Sequence, residues 1–104
     1  MKRRPTRTEK SDLAAREDGA SALAIVALSF IAEDPERLGR FLALSGIGPD
    51  SLRAAAREPG FLLGVLEHVT GDEALLLALS NSTGIDPEDI ARARDVLAGE
   101  VPRQ

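Results

Sequence analysis

The sequence predicts an all-α protein: a compact bundle of five to six short helices preceded by a disordered basic N-terminal arm. Apolar residues make up 43% of the 104-residue chain but only three residues are aromatic, so the core must consist mainly of Leu, Ala, Ile and Val. Apolar positions recur with helical spacing, and Pro and Gly stand where helices are expected to start and stop. The length fits one domain with a single hydrophobic core.

Charge is distributed unevenly between the predicted arm, residues 1–16, and the predicted helical domain, residues 17–104. The formal net charge of the chain is −4. The arm has six basic and two acidic side chains, a balance of +4, whereas the domain has seven Arg and fifteen acids, a balance of −8. A short, polar, strongly charged segment has little apolar surface to bury, so we expect the arm to be flexible.

The apolar run Ala20 to Ala32 follows this basic segment, which is the order of a signal peptide. Two details argue against a signal peptide: Glu17 and Asp18 directly precede the run, and the bulky Phe30 stands where a cleavage site needs a small residue. The run is also shorter than the roughly 18 to 20 residues that a membrane-spanning helix needs. We therefore expect a core helix, starting at about Asp18 or Ser21, in a cytoplasmic protein without a membrane segment.

One face of this first helix carries small apolar side chains that would let another helix approach closely. It either docks a partner helix or a second copy of the chain, or it is part of the protein's own core, and the sequence leaves both interpretations open. The residues of this face are Ala20, Ala24, Ala27 and Ile31.

Five further helices follow from local start and stop signals. Asp34 and Pro35 are typical of a helix start, and Gly46 of a helix end. The third helix is predicted at Pro49 to Arg57, the fourth at Phe61 to Thr70 with Gly71 as its stop, the fifth between Asp72 and Gly84, and the sixth between Asp86 and Gly99. The side chains expected to face the core are Leu38, Phe41, Leu42, Leu62, Val65, Leu66, Val69, Ile90, Ala93 and Leu97.

The turn Gly46-Ile47-Gly48-Pro49 resembles the hairpin of helix-hairpin-helix DNA-binding modules, in which backbone amides at a helix start contact a phosphate. The candidate nucleic-acid contacts are Gly46, Gly48, Arg53 and Arg57. Asp50 places a carboxylate where the phosphate would lie, and the acidic domain repels a polyanion. We therefore favour a structural turn, with nucleic-acid binding through this turn and the basic arm as the alternative.

Residue types that carry catalysis are sparse. The chain has no cysteine, and His68 is its only histidine. Asp72 follows four residues later, but Gly71 is expected to end the helix between them and so to prevent a shared metal-binding face. Hydroxyl groups lie in predicted helix ends, where they commonly bond the backbone. We expect no enzyme, and no catalytic residue, metal or cofactor.

Three segments carry a resemblance to a known family: "DPERLGRFL", "GIGPDSL" and "GDEALLLAL". With them, the chain from Phe30 to Arg94 resembles a bacterial family of short proteins catalogued as domain of unknown function 3572. The resemblance implies a helical protein of the bacterial cytoplasm and brings no activity or site residue with it. From the residues, the favoured function is a non-enzymatic module that binds an unknown protein partner or forms a homo-oligomer.

Overall fold

The computed structural model describes residues 7–58 and 60–100, and these residues form six α-helices and one 3₁₀ turn. The helices are α1 (Arg7–Ala32), α2 (Pro35–Ser45), α3 (Leu52–Ala55), α4 (Phe61–Thr70), α5 (Glu73–Thr83) and α6 (Pro87–Glu100), and the 3₁₀ turn (Pro49–Ser51) precedes α3. The predicted all-α fold is confirmed.

Local capping fixes both ends of α2 and of α5 at the predicted residues. The carboxylate of Asp34 accepts a hydrogen bond of 2.9 Å from the backbone N–H of Glu36, and that of Asp72 accepts one of 3.2 Å from Leu75. Gly46 and Gly84 end α2 and α5 in the left-handed conformation, with φ of 75° and 77°. A residue with a Cβ is strained at such an angle, which is why glycine stands at both ends.

Asp86 is the exception among the predicted caps. Among the described residues, no amide donates a hydrogen bond to its carboxylate, and its backbone carbonyl accepts from Asp89 and Ile90 instead. The first turn of α6 therefore forms without the predicted side-chain cap.

Helix α1 begins earlier than the sequence pattern predicted. It starts at Arg7 instead of Asp18 or Ser21, so residues 7–16 of the predicted arm belong to it, while residues 1–6 lie outside the described residues. Residues 15–19 are exposed, and the side chain of Ala20 is buried. Good helix formers such as Ala, Lys, Glu and Arg extend a helix from an anchored segment without further packing.

Two other predicted helix ends differ from the structure. The predicted third helix, Pro49 to Arg57, is broken into the 3₁₀ turn and the single helical turn of α3. Helix α6 continues through Gly99 to Glu100.

The core lies where α1, α4 and α6 pack on one another, with α2 against α1 and α5 against α4. It contains no buried polar or charged side chain among the described residues. A side-chain hydrogen bond of 3.2 Å from the Arg94 guanidinium to the Thr70 hydroxyl ties α6 to the end of α4. The buried side chains are Ala20, Ala24, Ala27, Phe30, Ile31, Phe41, Phe61, Val65, Leu66, Val69, Leu79, Ile90, Ala93 and Leu97.

The core decides between the two interpretations of the small-residue face of α1. Ala24, Ala27 and Ile31 are fully buried, and Ala20 is 4% exposed. This face is thus covered by the protein's own helices and is not free to bind a partner. None of the helices in the described ranges combines the length and the hydropathy that a membrane crossing requires.

Candidate functional site

An apolar groove of about 600 Å³ opens on the surface between the end of α2, the following turn, α3 and the start of α4. Its lining is mainly apolar and aromatic, with two carboxylates and one imidazole. The lining residues are Phe41, Leu44, Ser45, Ile47, Ala55, Glu58, Gly60, Phe61, Gly64, Glu67 and His68.

Two phenylalanines form the floor of this groove. Phe41 of α2 and Phe61 of α4 pack edge to face, with ring centroids 6.2 Å apart and an interplanar angle of 85°. Gly60, with φ of 90°, turns the chain into α4 directly before Phe61. Gly64 follows one helical turn later, and a Cβ there would meet no atom within 4 Å. Gly64 therefore leaves its part of the groove wall open, because it carries no side chain.

The rim of the groove combines an exposed leucine with two carboxylates. Leu44 is 71% exposed, more than the other exposed large apolar side chains of residues 15–99, which are Ile25, Val26 and Leu77. Glu58 and Glu67 are exposed, and neither forms an ion pair with a residue that the structure describes. The groove thus presents apolar surface with negative charge at its edges.

A second, polar cleft of about 490 Å³ lies on the other side of His68, between α2, α4 and the start of α5. Two ion pairs lie in this cleft: Arg37 is 3.8 Å from Asp34, and Arg40 is 3.8 Å from Asp72, while Glu36 pairs with no described residue. The Arg37 guanidinium also stacks on a phenylalanine ring of α1, 4.0 Å from its centroid. Two of the three carboxylates in this cleft are therefore paired with arginines, and Glu36 is the third.

His68 is the only residue shared by the two clefts. Its imidazole packs edge-on against Phe41, with ring centroids 5.1 Å apart. Burial lowers the pKa of His68 below its ordinary value of 6.5; Asp72 opposes this shift, and Arg40 adds to it. The neutral ring is therefore favoured, and it continues the apolar wall of the groove.

Among the described residues, no hydroxyl donates a hydrogen bond to His68 or to a carboxylate, although Ser45 and His68 both line the groove. The hydroxyls of Ser45, Thr70 and Thr83 donate to backbone carbonyls of their own helices. Within residues 7–58 and 60–100, no group of three His, Cys, Asp or Glu residues lies close enough to hold a metal ion.

The candidate nucleic-acid contacts lie around the turn that forms one wall of the groove. Gly46 is the left-handed end of α2, and Gly48 has an ordinary φ of −73° before the 3₁₀ turn. Arg53 and Arg57 are both exposed. The helix that would present amides to a phosphate has only four residues, and Asp50 is exposed at its start. Nucleic-acid binding by these residues stays a prediction that the geometry does not favour.

Residues 17–100 match the model of a family described as protein of unknown function, DUF3572. The chain belongs to this family. Comparisons with curated proteins and with solved structures found no match. The family brings no activity to the DUF3572 domain described here, so its function has to be inferred from its own surface.

The sequence alone did not reveal the groove. Ile47 is half-buried against the core and also lines the groove. Two local signals point to the site in retrospect. Leu44 is apolar yet lies off the inward stripe of α2, and Gly64 interrupts α4 at a position where a helix former would be expected.

Proposed function

We propose that this protein is a non-enzymatic protein-interaction module of the bacterial cytoplasm, whose apolar groove receives a helix of a partner protein. The observation that carries the proposal is the exposed Leu44 at the rim of a groove floored by Phe41 and Phe61. Aromatic side chains in a concave apolar surface are typical of the centre of a protein-binding site.

A helical partner fits this groove better than an extended one. The walls are helices α2 and α4, and a groove between helices takes an amphipathic helix that inserts side chains spaced at i, i+3 or i+4, and i+7. Addition of a strand needs an exposed sheet edge, and the described residues contain no strand.

Leu44→Asp tests the proposal, with Leu77→Asp as its matched control. Leu77 is also an exposed leucine, at 47%, but it lies on α5 outside the groove. The probe is a displayed library of helix-forming peptides with Leu at i, i+3 and i+7 and with the remaining positions randomised. Peptides selected on the wild-type protein should bind Leu44→Asp at least about tenfold more weakly, because a buried Leu contributes roughly 1.5–3 kcal/mol. Binding to Leu77→Asp should be unchanged.

Amide chemical shifts of the wild-type protein give a second readout. Addition of a selected peptide should shift the resonances of Ile47, Phe61 and Gly64, while those of α6 stay in place. Selected peptides that bind Leu44→Asp and wild type equally, or a selection that yields no peptide dependent on Leu44, would overturn the proposed function.

A further inference from the structure

The two rim carboxylates specify the chemistry of the partner. Glu58 extends from the segment after α3 and Glu67 from α4, so they approach the groove from different elements of its wall. Both side chains are exposed and neither is neutralised by an ion pair with a described residue.

No positive group among the lining residues balances them. The only other titratable side chain that lines the groove is that of His68. Its ring packs on Phe41, and Asp72 and Arg40 of the polar cleft act on it from the other side. The acidic side chains of the groove are therefore Glu58 and Glu67, and no lysine or arginine lines it with them.

The helical domain as a whole has the same net sign, while Arg53 and Arg57 are exposed on the segment before Glu58. Residues 17–104 carry a balance of −8, with fifteen acids against seven arginines. Complementary charge accelerates association and selects among partners, whereas juxtaposed like charges disfavour them. The groove therefore discriminates against acidic helices as well as attracting basic ones.

Resting on the proposed function, we infer that the partner is a basic amphipathic helix, with apolar side chains on the Phe41–Phe61 floor and Lys or Arg opposite Glu58 and Glu67. The charges orient and select the helix, and the apolar contacts hold it.

The test compares peptides that differ only in their flanking charges. A selected, Leu44-dependent peptide is synthesised with Lys at the two positions flanking its apolar stripe, and again with Glu at both. At low salt the Lys peptide should bind wild-type protein about threefold to tenfold more tightly than the Glu peptide, since exposed charge pairs contribute modestly. The difference should nearly vanish at about 1 M salt, where screening acts over roughly 3 Å.

Charge reversal on the protein shows whether Glu58 and Glu67 cause the preference for the Lys peptide. Glu58→Lys combined with Glu67→Lys should invert the preference, so that the Glu peptide binds more tightly. Glu17→Lys combined with Glu33→Lys is the matched control, because both are exposed carboxylates of the α1 region outside the groove and the change in net charge is the same. The control should keep the preference for Lys.

The outcomes separate this inference from the proposed function. The inference is wrong if Leu44-dependent peptides show no preference for Lys over Glu. It is also wrong if the control variant, Glu17→Lys with Glu33→Lys, changes this preference as much as Glu58→Lys with Glu67→Lys does. In both cases the groove remains a docking site. Absence of any Leu44-dependent peptide overturns both.

Discussion

The imidazole of His68 packs edge-on against the ring of Phe41, with centroids 5.1 Å apart and an interplanar angle of 75°. This contact joins α2 to α4 at the one place where the apolar groove and the polar cleft share a wall. One face of the histidine environment is therefore aromatic, and the other contains Asp72 and Arg40. A change in the charge of the His68 ring therefore alters the electrostatic environment of both the groove and the polar cleft.

We expect the pKa of His68 to lie below 6.5 in the folded protein. Because His68 is the only histidine, its ring resonances can be identified directly and followed by NMR during a pH titration. Burial lowers this pKa, Asp72 raises it and Arg40 lowers it. Asp72→Asn should therefore lower the pKa further, and Arg40→Gln should raise it. A wild-type pKa at or above 6.5 would contradict the packing of the ring.

The same shift predicts a dependence of folding stability on pH. The unfolded chain binds the proton of His68 more tightly than the folded protein does, so the stabilisation by the neutral ring is complete above pH 6.5 and is lost as the pH falls toward the folded-state pKa. His68→Gln should reduce this slope in denaturant unfolding measured between about pH 7.5 and 5.5. If His68→Gln keeps the slope of stability against pH unchanged, groups other than His68 cause the pH dependence.

Gly46→Ala should destabilise the fold by about 1 kcal/mol, because the residue sits at φ of 75°, where a Cβ is strained. The space around Gly46 is open, so the cost comes from the backbone and not from a clash. Gly48→Ala is the control in the same turn: its φ is −73° and its nearest neighbour atom would lie 4.0 Å from the Cβ. Equal midpoints of urea unfolding for the two variants would contradict this assignment.

Asp72→Ala should cost about 1 kcal/mol, within the usual range of roughly 0.5 to 2 for a lost helix cap. Its carboxylate accepts from the N–H of Leu75, and that bond has no replacement in the variant. Asp72→Asn keeps an oxygen acceptor and should cost less. Asp86→Ala should cost less as well, because no amide of the described residues donates to that carboxylate. Thermal unfolding of the three variants checks this order.

We expect Arg53→Ala combined with Arg57→Ala to leave any weak binding of duplex DNA unchanged, including its dependence on salt. Arg53 lies in a helix of only four residues and Arg57 follows it, so few backbone amides are available to a phosphate there. The exposed carboxylate of Asp50 nearby repels a phosphate. Deletion of Met1 to Lys10 should remove whatever binding the full chain has, because that segment carries the positive charge. Salt-sensitive binding that survives the deletion, is lost in the double variant and strengthens in Asp50→Lys would instead establish the turn as a nucleic-acid site.

The sequence by itself determined the features that depend on neighbouring residues. Asp34 and Asp72 cap α2 and α5, Gly46 and Gly84 end these helices, and the stripe of Ile90, Ala93 and Leu97 in α6 is buried as its spacing predicts. Capping bonds and left-handed glycines act within one helical turn, so they can be recognised in the chain before any packing is known.

Tertiary structure decided what depends on which helices meet. Only the packing of α1 against α4 and α6 turned the small-residue face of α1 into core, and only the neighbouring positions of α2 and α4 brought Phe41, Phe61 and His68 together. The early start of α1 and the shortness of α3 also escaped prediction, because marginal helices are extended or broken by small free-energy differences. A groove is a property of the space between elements, and its residues, Leu44, Glu58 and Glu67 among them, share no sequence spacing that would mark it.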